Sequence, residues 1–158
     1  MNPTRNDIPL KVRKEVIALL NARLADAIDL NMQAKQAHWN VKGPTFYMLH
    51  GLFDKVAETA ECAVDEIAER AVALGGTAEG TIAAVAKATT LPAFPLNVKD
   101  GTGHVERIAQ ALANFGEQVR EAIERADKLG DKDTADLFTG ISRDTDKYLW
   151  FVEAHLQK

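Results

Sequence analysis

Apolar positions recur every three or four residues along nearly the whole chain, the period of one face of an α-helix. A first long helix is predicted from about Leu10 to Trp39, with Val16, Leu20, Leu24, Ala27 and Ile28 on its inner face. Lys42-Gly43-Pro44 stops it and opens a second helix, because proline suits a first helical turn. The second runs to about Leu74 through Phe46, Leu49, Phe53, Val56, Ala60, Ile67 and Ala71, and Gly75-Gly76 ends it. A third spans roughly His104 to Leu129 through Val105, Ile108, Leu112, Phe115, Val119 and Ile123. Gly130 closes it, and the carboxylates between Asp131 and Asp136 cap a fourth. That last helix continues through Phe138, Ile141, Leu149, Val152 and Leu156.

The connections decide how these helices are arranged. The first and second are joined by a few residues, as are the third and fourth, so each pair forms an antiparallel hairpin. Between the hairpins lies a connection of about 25 residues, long enough to carry the chain from one end of a bundle to the other. Within it Thr81 to Lys87 reads as a short helix and Leu91 to Leu96, with two prolines, as extended chain. The pattern predicts an all-α chain forming a ferritin-like four-helix bundle with a short helix in its crossover. Residues 1–158 form one domain on this reading, with 1–9 as a short N-terminal tail.

Composition adds mainly exclusions. At 46% hydrophobic and 27% charged residues the chain reads as an ordinary globular protein. Its formal net charge of −4 gives no whole-chain reason to expect nucleic-acid binding. A lone cysteine, Cys62, excludes an intrachain disulfide and fits a reducing compartment. Residues Met1 to Pro9 are polar and lack a signal-peptide core, and no segment reaches the roughly 18 apolar residues that span a bilayer. A cytoplasmic protein is expected.

The informative chemistry lies between His50 and Glu69. His50 and Asp54 are four residues apart, as are Asp65 and Glu69, so each pair projects from one helical face. From Asp54 to Asp65 is about 16 Å of helix, whereas metal–ligand bonds are about 2 Å long. The two pairs cannot share an ion within one straight helix. A second copy running antiparallel across a two-fold axis would set His50 opposite Glu69 and Asp54 opposite Asp65, because both pairs of residue numbers have the same sum. The spacing therefore suggests a metal site split between two subunits. Taken alone, His50 or His38 is more often a hydrogen-bonded core residue, and such carboxylate pairs are often a solvated face. Their joint placement beside the inner stripe favours ligation. Imidazoles with carboxylates suit iron, manganese, cobalt or zinc and not the all-oxygen preference of calcium. No Glu-x-x-His occurs, so the intrachain di-iron constellation of ordinary ferritin-like bundles is missing. His-Glu-x-x-His, phosphate-binding glycine loops and zinc-type cysteine pairs are missing too.

Lys35-Gln36-Ala37-His38-Trp39-Asn40, Lys42-Gly43-Pro44, His50, Asp54 and the run from Asp65 to Leu74 closely resemble the Dps family, the DNA-binding proteins from starved cells or mini-ferritins. Thr134-Ala135-Asp136, Phe138-Thr139, Ser142-Arg143-Asp144 and Leu149-Trp150-Phe151 match as well, so the resemblance covers essentially the whole chain. It implies a hollow dodecamer with ferroxidase centres at two-fold interfaces. His38, His50 and Asp54 would come from one subunit, Asp65 and Glu69 from its neighbour, with Trp39 beside the centre. It implies oxidation of Fe²⁺, usually by hydrogen peroxide in preference to oxygen, and storage of ferric mineral in the shell. Removing iron and peroxide together protects DNA from hydroxyl radicals. Acidic residues at the start of the last helix would line three-fold pores, Asp136 first, then Asp131 and Asp133; helix capping is their alternative role.

Two features complicate that picture. Glu58 and Glu61 share the same residue-number sum as the ligand pairs, which would bring like charges together near the axis. The N-terminal cations Arg5, Lys11, Arg13 and Lys14 are offset by Asp7 and Glu15, and Lys158 is the only terminal base at the other end. Twelve chains of −4 give a shell of roughly −48, a field that repels phosphate. DNA binding is therefore expected to be weak. The alternative reading is a DNA-compacting nucleoid protein in which iron oxidation is secondary.

Overall fold

The apolar periodicity is realised as five helices in a computed structural model that describes residues 1–157; Lys158 lies outside the described residues. In chain order they are α1 (Leu10–Asn40), α2 (Phe46–Ala73), α3 (Ile82–Ala88), α4 (Gly101–Leu129) and α5 (Lys132–Glu153). Strands are absent among the described residues. The inner face of α1 runs through Val16, Leu20, Leu24, Ala27, Leu30, Ala34 and Ala37, all buried at helical spacing. It packs against Leu49, Phe53, Val56, Ala60 and Ile67 of α2 and against Ile108, Leu112, Phe115 and Val119 of α4. Phe138, Ile141 and Val152 of α5 complete one core. The many alanines on α1 and α2 let these two helices approach closely along the hairpin.

Helix ends follow local chemistry. Asp100 caps α4 by accepting from the Gly103 amide at 2.7 Å, and Asp131 caps α5 by accepting from the Thr134 amide at 3.0 Å. Gly130, with φ +81°, ends α4 in the left-handed conformation that costs glycine nothing. Gly75 and Gly76 end α2 for a second reason as well. A Cβ on Gly76 would lie 2.7 Å from the Ile17 side chain, so this turn is glycine-only by close packing.

The crossover from α2 to α4 returns the chain to the end of the bundle where α1 finishes. A Cβ on Gly101 would sit 2.9 Å from Leu49, which places the start of α4 beside the start of α2. Asp26, fully buried on α1, anchors this long connection. Its Oδ1 accepts from the Thr90 amide at 2.7 Å and the Thr90 hydroxyl at 3.0 Å, while Arg23 lies 2.9 Å from Oδ2. Arg23 also donates to the Gln118 carbonyl of α4 at 3.3 Å. A buried ion pair of this kind adds little net stability but fixes one arrangement of the crossover.

Several boundaries differ from the sequence expectation. Leu156, expected to continue the last helix, lies in a turn beyond Glu153 and is exposed. Ile28 is only half-buried, because it faces the crossover at Gly80 instead of the bundle centre. Phe46 is 43% exposed. It occupies the first turn of α2, beyond the end of the core, and its ring lies against His50. The N-terminal segment is also tied down. The Asn2 amide donates to the Gly75 carbonyl at 2.7 Å, and Arg13 bridges the Ile8 and Leu74 carbonyls at 2.9 and 3.1 Å.

Candidate metal centre

A five-residue turn brings the end of α1 against the start of α2. Val41 is buried and extended, Gly43 adopts φ +109°, and the Phe46 amide donates to the Gly43 carbonyl at 3.0 Å. This places His38, in the last turn of α1, directly against His50, in the second turn of α2. Their rings stack with centroids 3.7 Å apart and planes at 20°.

The hydrogen bonds of the two rings are reciprocal. His38 Nδ1 lies 2.7 Å from the His50 carbonyl oxygen, and His50 Nδ1 lies 2.8 Å from the His38 carbonyl oxygen. A carbonyl only accepts, so both Nδ1 atoms carry the proton. In the neutral rings both Nε2 atoms then hold a lone pair. Anchoring one imidazole nitrogen on a carbonyl so that the other can bind metal is how histidine ligands are oriented. The core-histidine alternative predicts rings satisfied at both nitrogens; here one nitrogen of each ring makes no hydrogen bond among the described residues.

Asp54 lies one turn beyond His50, with Oδ1 3.7 Å from His38 Nδ1. The same oxygen accepts from Lys35 Nζ at 2.7 Å. That hydrogen bond holds the Asp54 carboxyl below the ordinary carboxylate range, against an opposing push from partial burial; the nearby His38 adds to the lowering. Asp54 is thus an anion at neutral pH. Two imidazole nitrogens and a carboxylate form the kind of donor set that holds divalent first-row metals.

Asp65 and Glu69 are exposed on α2, about 16 Å further along the helix from Asp54. Neither makes an ion pair among the described residues. No group of three or more His, Cys, Asp or Glu within the chain is placed to hold a metal ion among the described residues. The chain stacks His38 on His50 and sets Asp54 near His38 Nδ1, short of a three-donor group, and it leaves Asp65 and Glu69 apart from them.

Lys35 opens the motif that ends at Asn40, but its contact with Asp54, 19 residues on, is not legible from spacing along one helix. Trp39 is 59% exposed, with Lys35 Nζ 6.0 Å from its ring centroid, so packing within its own chain does not account for it. Tyr47 and Met48, exposed at the start of α2, add to the uncovered apolar surface on this side of the turn. Glu58, one of the two awkward glutamates, is paired with Lys55 at 2.6 Å, which offsets its charge; Glu61 and Cys62 are exposed.

The three aspartates at the start of α5 separate into two kinds. Asp131 is 1% exposed, and its carboxylate takes Arg70 Nη2 at 2.7 Å as well as the Thr134 amide and, at 2.7 Å, the Thr134 hydroxyl. Both carboxylate oxygens are engaged and the residue is buried, so Asp131 is a cap and ion-pair partner and presents no carboxylate to a pore. Asp133 and Asp136 are exposed.

A ferritin-like domain profile matches residues 17–158. The chain is 44% identical over 155 residues to the DNA protection during starvation protein of Agrobacterium fabrum, covering 98% of this chain and 96% of that one. Superposition on the tetragonal form of Mycobacterium smegmatis Dps gives a TM-score of 0.94 at 30% identity, over all of this chain and 95% of that one. The Dps protein of Vibrio cholerae, described as one of the ferritin-like diiron-carboxylate proteins, superposes at 0.89 with 25% identity, over 99% of this chain and all of its own.

Proposed function

The chain belongs to the ferritin-like Dps family, and from that premise we propose that it oxidises Fe²⁺ at centres shared between subunits and stores the ferric product. In this reading His38, His50 and Asp54 face Asp65 and Glu69 of a two-fold-related copy, and the copies close into a hollow dodecamer. The observation that carries it is the reciprocal hydrogen bonding of His38 and His50, which leaves both Nε2 atoms without a hydrogen-bond partner among the described residues. Neutral imidazoles offer affinity for ferrous iron, while three carboxylates favour the more highly charged ferric product. Each ferrous ion gives up one electron. With hydrogen peroxide as oxidant, two such electrons break the O–O bond, and the oxygens leave as water after taking two protons from solvent. Oxygen is the alternative oxidant.

The exposed carboxylates of Asp133 and Asp136 are the proposed lining of the iron route into the shell. Protection of DNA, named in the Agrobacterium relative, follows here from removing iron and peroxide. The N-terminal segment is pinned to the end of α2 at Asn2, which disfavours the reading as a primary DNA-compacting protein. No helix among the described residues is long and apolar enough to cross a membrane, and the unpaired Cys62 suits a cytoplasmic setting.

Complementation between two defective chains tests the shared centre. One carries His50→Ala with Asp54→Ala, the other Asp65→Ala with Glu69→Ala. Each alone should lose ferrous binding and oxidation. Shells reassembled from both should regain centres where two intact halves meet. Mixed shells no better than either parent would show that the centre is not shared.

A further inference from the structure

On the other side of the α1–α2 turn, a cavity of about 260 Å³ opens between the end of α1, the crossover and the start of α4. Gln36 and Asn40 of α1, Lys42 of the turn, Lys99 of the crossover and His104 of α4 supply its polar wall, and no acidic residue lines it. In a chain of net charge −4 this is a local excess of cations. Lys42 and Lys99 form no ion pair among the described residues. At roughly 30 Å³ per water, the space holds an anion together with part of its hydration shell.

His104 gives the cavity its chemistry. The residue is 1% exposed, and its Nδ1 lies 2.7 Å from the Asp100 carbonyl oxygen, to which it donates. In the neutral ring Nε2 is therefore an acceptor, and it makes no hydrogen bond among the described residues. His104 lines the cavity, where water can donate to this nitrogen, and a ligand that displaces that water loses a hydrogen bond unless it brings a proton as well as negative charge. Asp100 does not compete with it, because its carboxylate is engaged in capping the Gly103 amide.

We infer that this cavity binds a protonated tetrahedral oxyanion, hydrogen phosphate, between Lys42, Lys99 and the Nε2 of His104. The phosphate oxygens accept from the two ammonium groups and from the amides of Gln36 and Asn40, and the phosphate hydroxyl donates to His104. Charge-assisted bonds of this kind are the strong ones, and lysine serves phosphate as a point charge. Sulfate has the same shape and charge but carries no proton at neutral pH, so it meets the His104 lone pair with an oxygen that only accepts. A phosphodiester of DNA fails in the same way.

Calorimetric titration of the assembled protein with sodium phosphate and sodium sulfate, at matched ionic strength and neutral pH, tests this. Phosphate should bind at least about tenfold more tightly than sulfate, the scale of one hydrogen bond mismatched to a charged group. Lys42→Ala with Lys99→Ala, both on exposed positions, should weaken phosphate binding by about tenfold or more. His104→Phe should abolish the preference for phosphate over sulfate; if that buried substitution fails to fold, the wild-type ratio and the lysine variant still decide. Equal affinity for the two anions overturns the inference, as does unchanged phosphate binding in the lysine variant. Loss of duplex DNA retention by the lysine variant with phosphate binding intact would make these cations a DNA contact and likewise overturn it.

Discussion

Lys35 occupies the position from which a metal ion would address Asp54, and its removal has a calculable effect. Its ammonium donates to Asp54 Oδ1 at 2.7 Å, and the two side chains are 30% and 37% exposed. A pair this open to water contributes about 0.2–1 kcal/mol after solvent screening. A divalent cation that takes Asp54 through Oδ1 breaks this pair, and one that binds Oδ2 meets the ammonium charge close by. Lys35→Met keeps the length of the stem and removes both costs, so metal affinity should rise by about 1.5- to 5-fold. Cobalt(II), followed by its visible absorption, reports this without turnover. The same variant should change the acid response. Because the Lys35 hydrogen bond holds the folded-state Asp54 carboxyl low, its stabilisation is present above the ordinary aspartate value and lost as pH falls through the depressed one. Melting temperatures of wild type and variant should therefore differ slightly at pH 7, in favour of wild type, and converge in acid. Weaker cobalt binding by Lys35→Met would refute the argument, since it would mean that Lys35 positions Asp54 for metal and does not compete with it.

Two further outcomes follow from the placement of the α5 aspartates and of the N-terminus. Asp131→Ala removes a helix cap and the closest carboxylate partner of Arg70, which keeps only the Thr134 hydroxyl at 2.9 Å and Asp133 at 3.8 Å, a cost of about 1–3 kcal/mol, visible as a lowered melting temperature. Asp136→Asn, at an exposed site, should change stability by less than about 0.5 kcal/mol yet slow iron uptake into the shell. Equal effects of the two on melting would contradict the assignment of one to capping and the other to the iron route. DNA retention should be confined to low salt and fall with a slope of about 0.9 per phosphate neutralised. Deleting residues 1–7, which removes Arg5, should lessen it further, and tight complexes at physiological salt after that deletion would place DNA binding elsewhere on the shell.

What the sequence made legible was whatever depends on spacing within one helix. Helical period, glycine stops and capping aspartates are local, and all five elements follow from them. The pairing of His50 with Asp54, and of Asp65 with Glu69, is equally local. His38 came from family resemblance, since nothing in the sequence alone shows that the turn after Val41 will stack its ring on His50. Contacts between residues far apart in the chain were the ones not foreseen. The cap formed by Asp131 is local and legible, but its ion pair is not, because Arg70 lies 61 positions earlier. Asn2 read as free tail because the carbonyl that holds it belongs to Gly75. Phe46 fits the apolar period of α2 but sits past the end of the core, and periodicity carries no information about where a core stops.

Charge gives a physical reason for the proposed centre divided between subunits. In one chain Lys35 offsets Asp54, and Asp65 and Glu69 stand alone in water, where high dielectric makes isolated carboxylates inexpensive. Bringing the halves together across a two-fold axis places three carboxylates and one ammonium around two neutral imidazoles. That is an excess of two negative charges per centre, a repulsion that a single divalent ion cancels. Assembly and metal uptake are then linked, because an ion that binds the joined form and not the separate chains stabilises the joined form by mass action. On this argument the interface should resist dissociation better with ferrous or cobalt ions present, and the carboxylate-to-alanine variants should lose that dependence on metal while keeping the apolar surface of Trp39, Tyr47 and Met48.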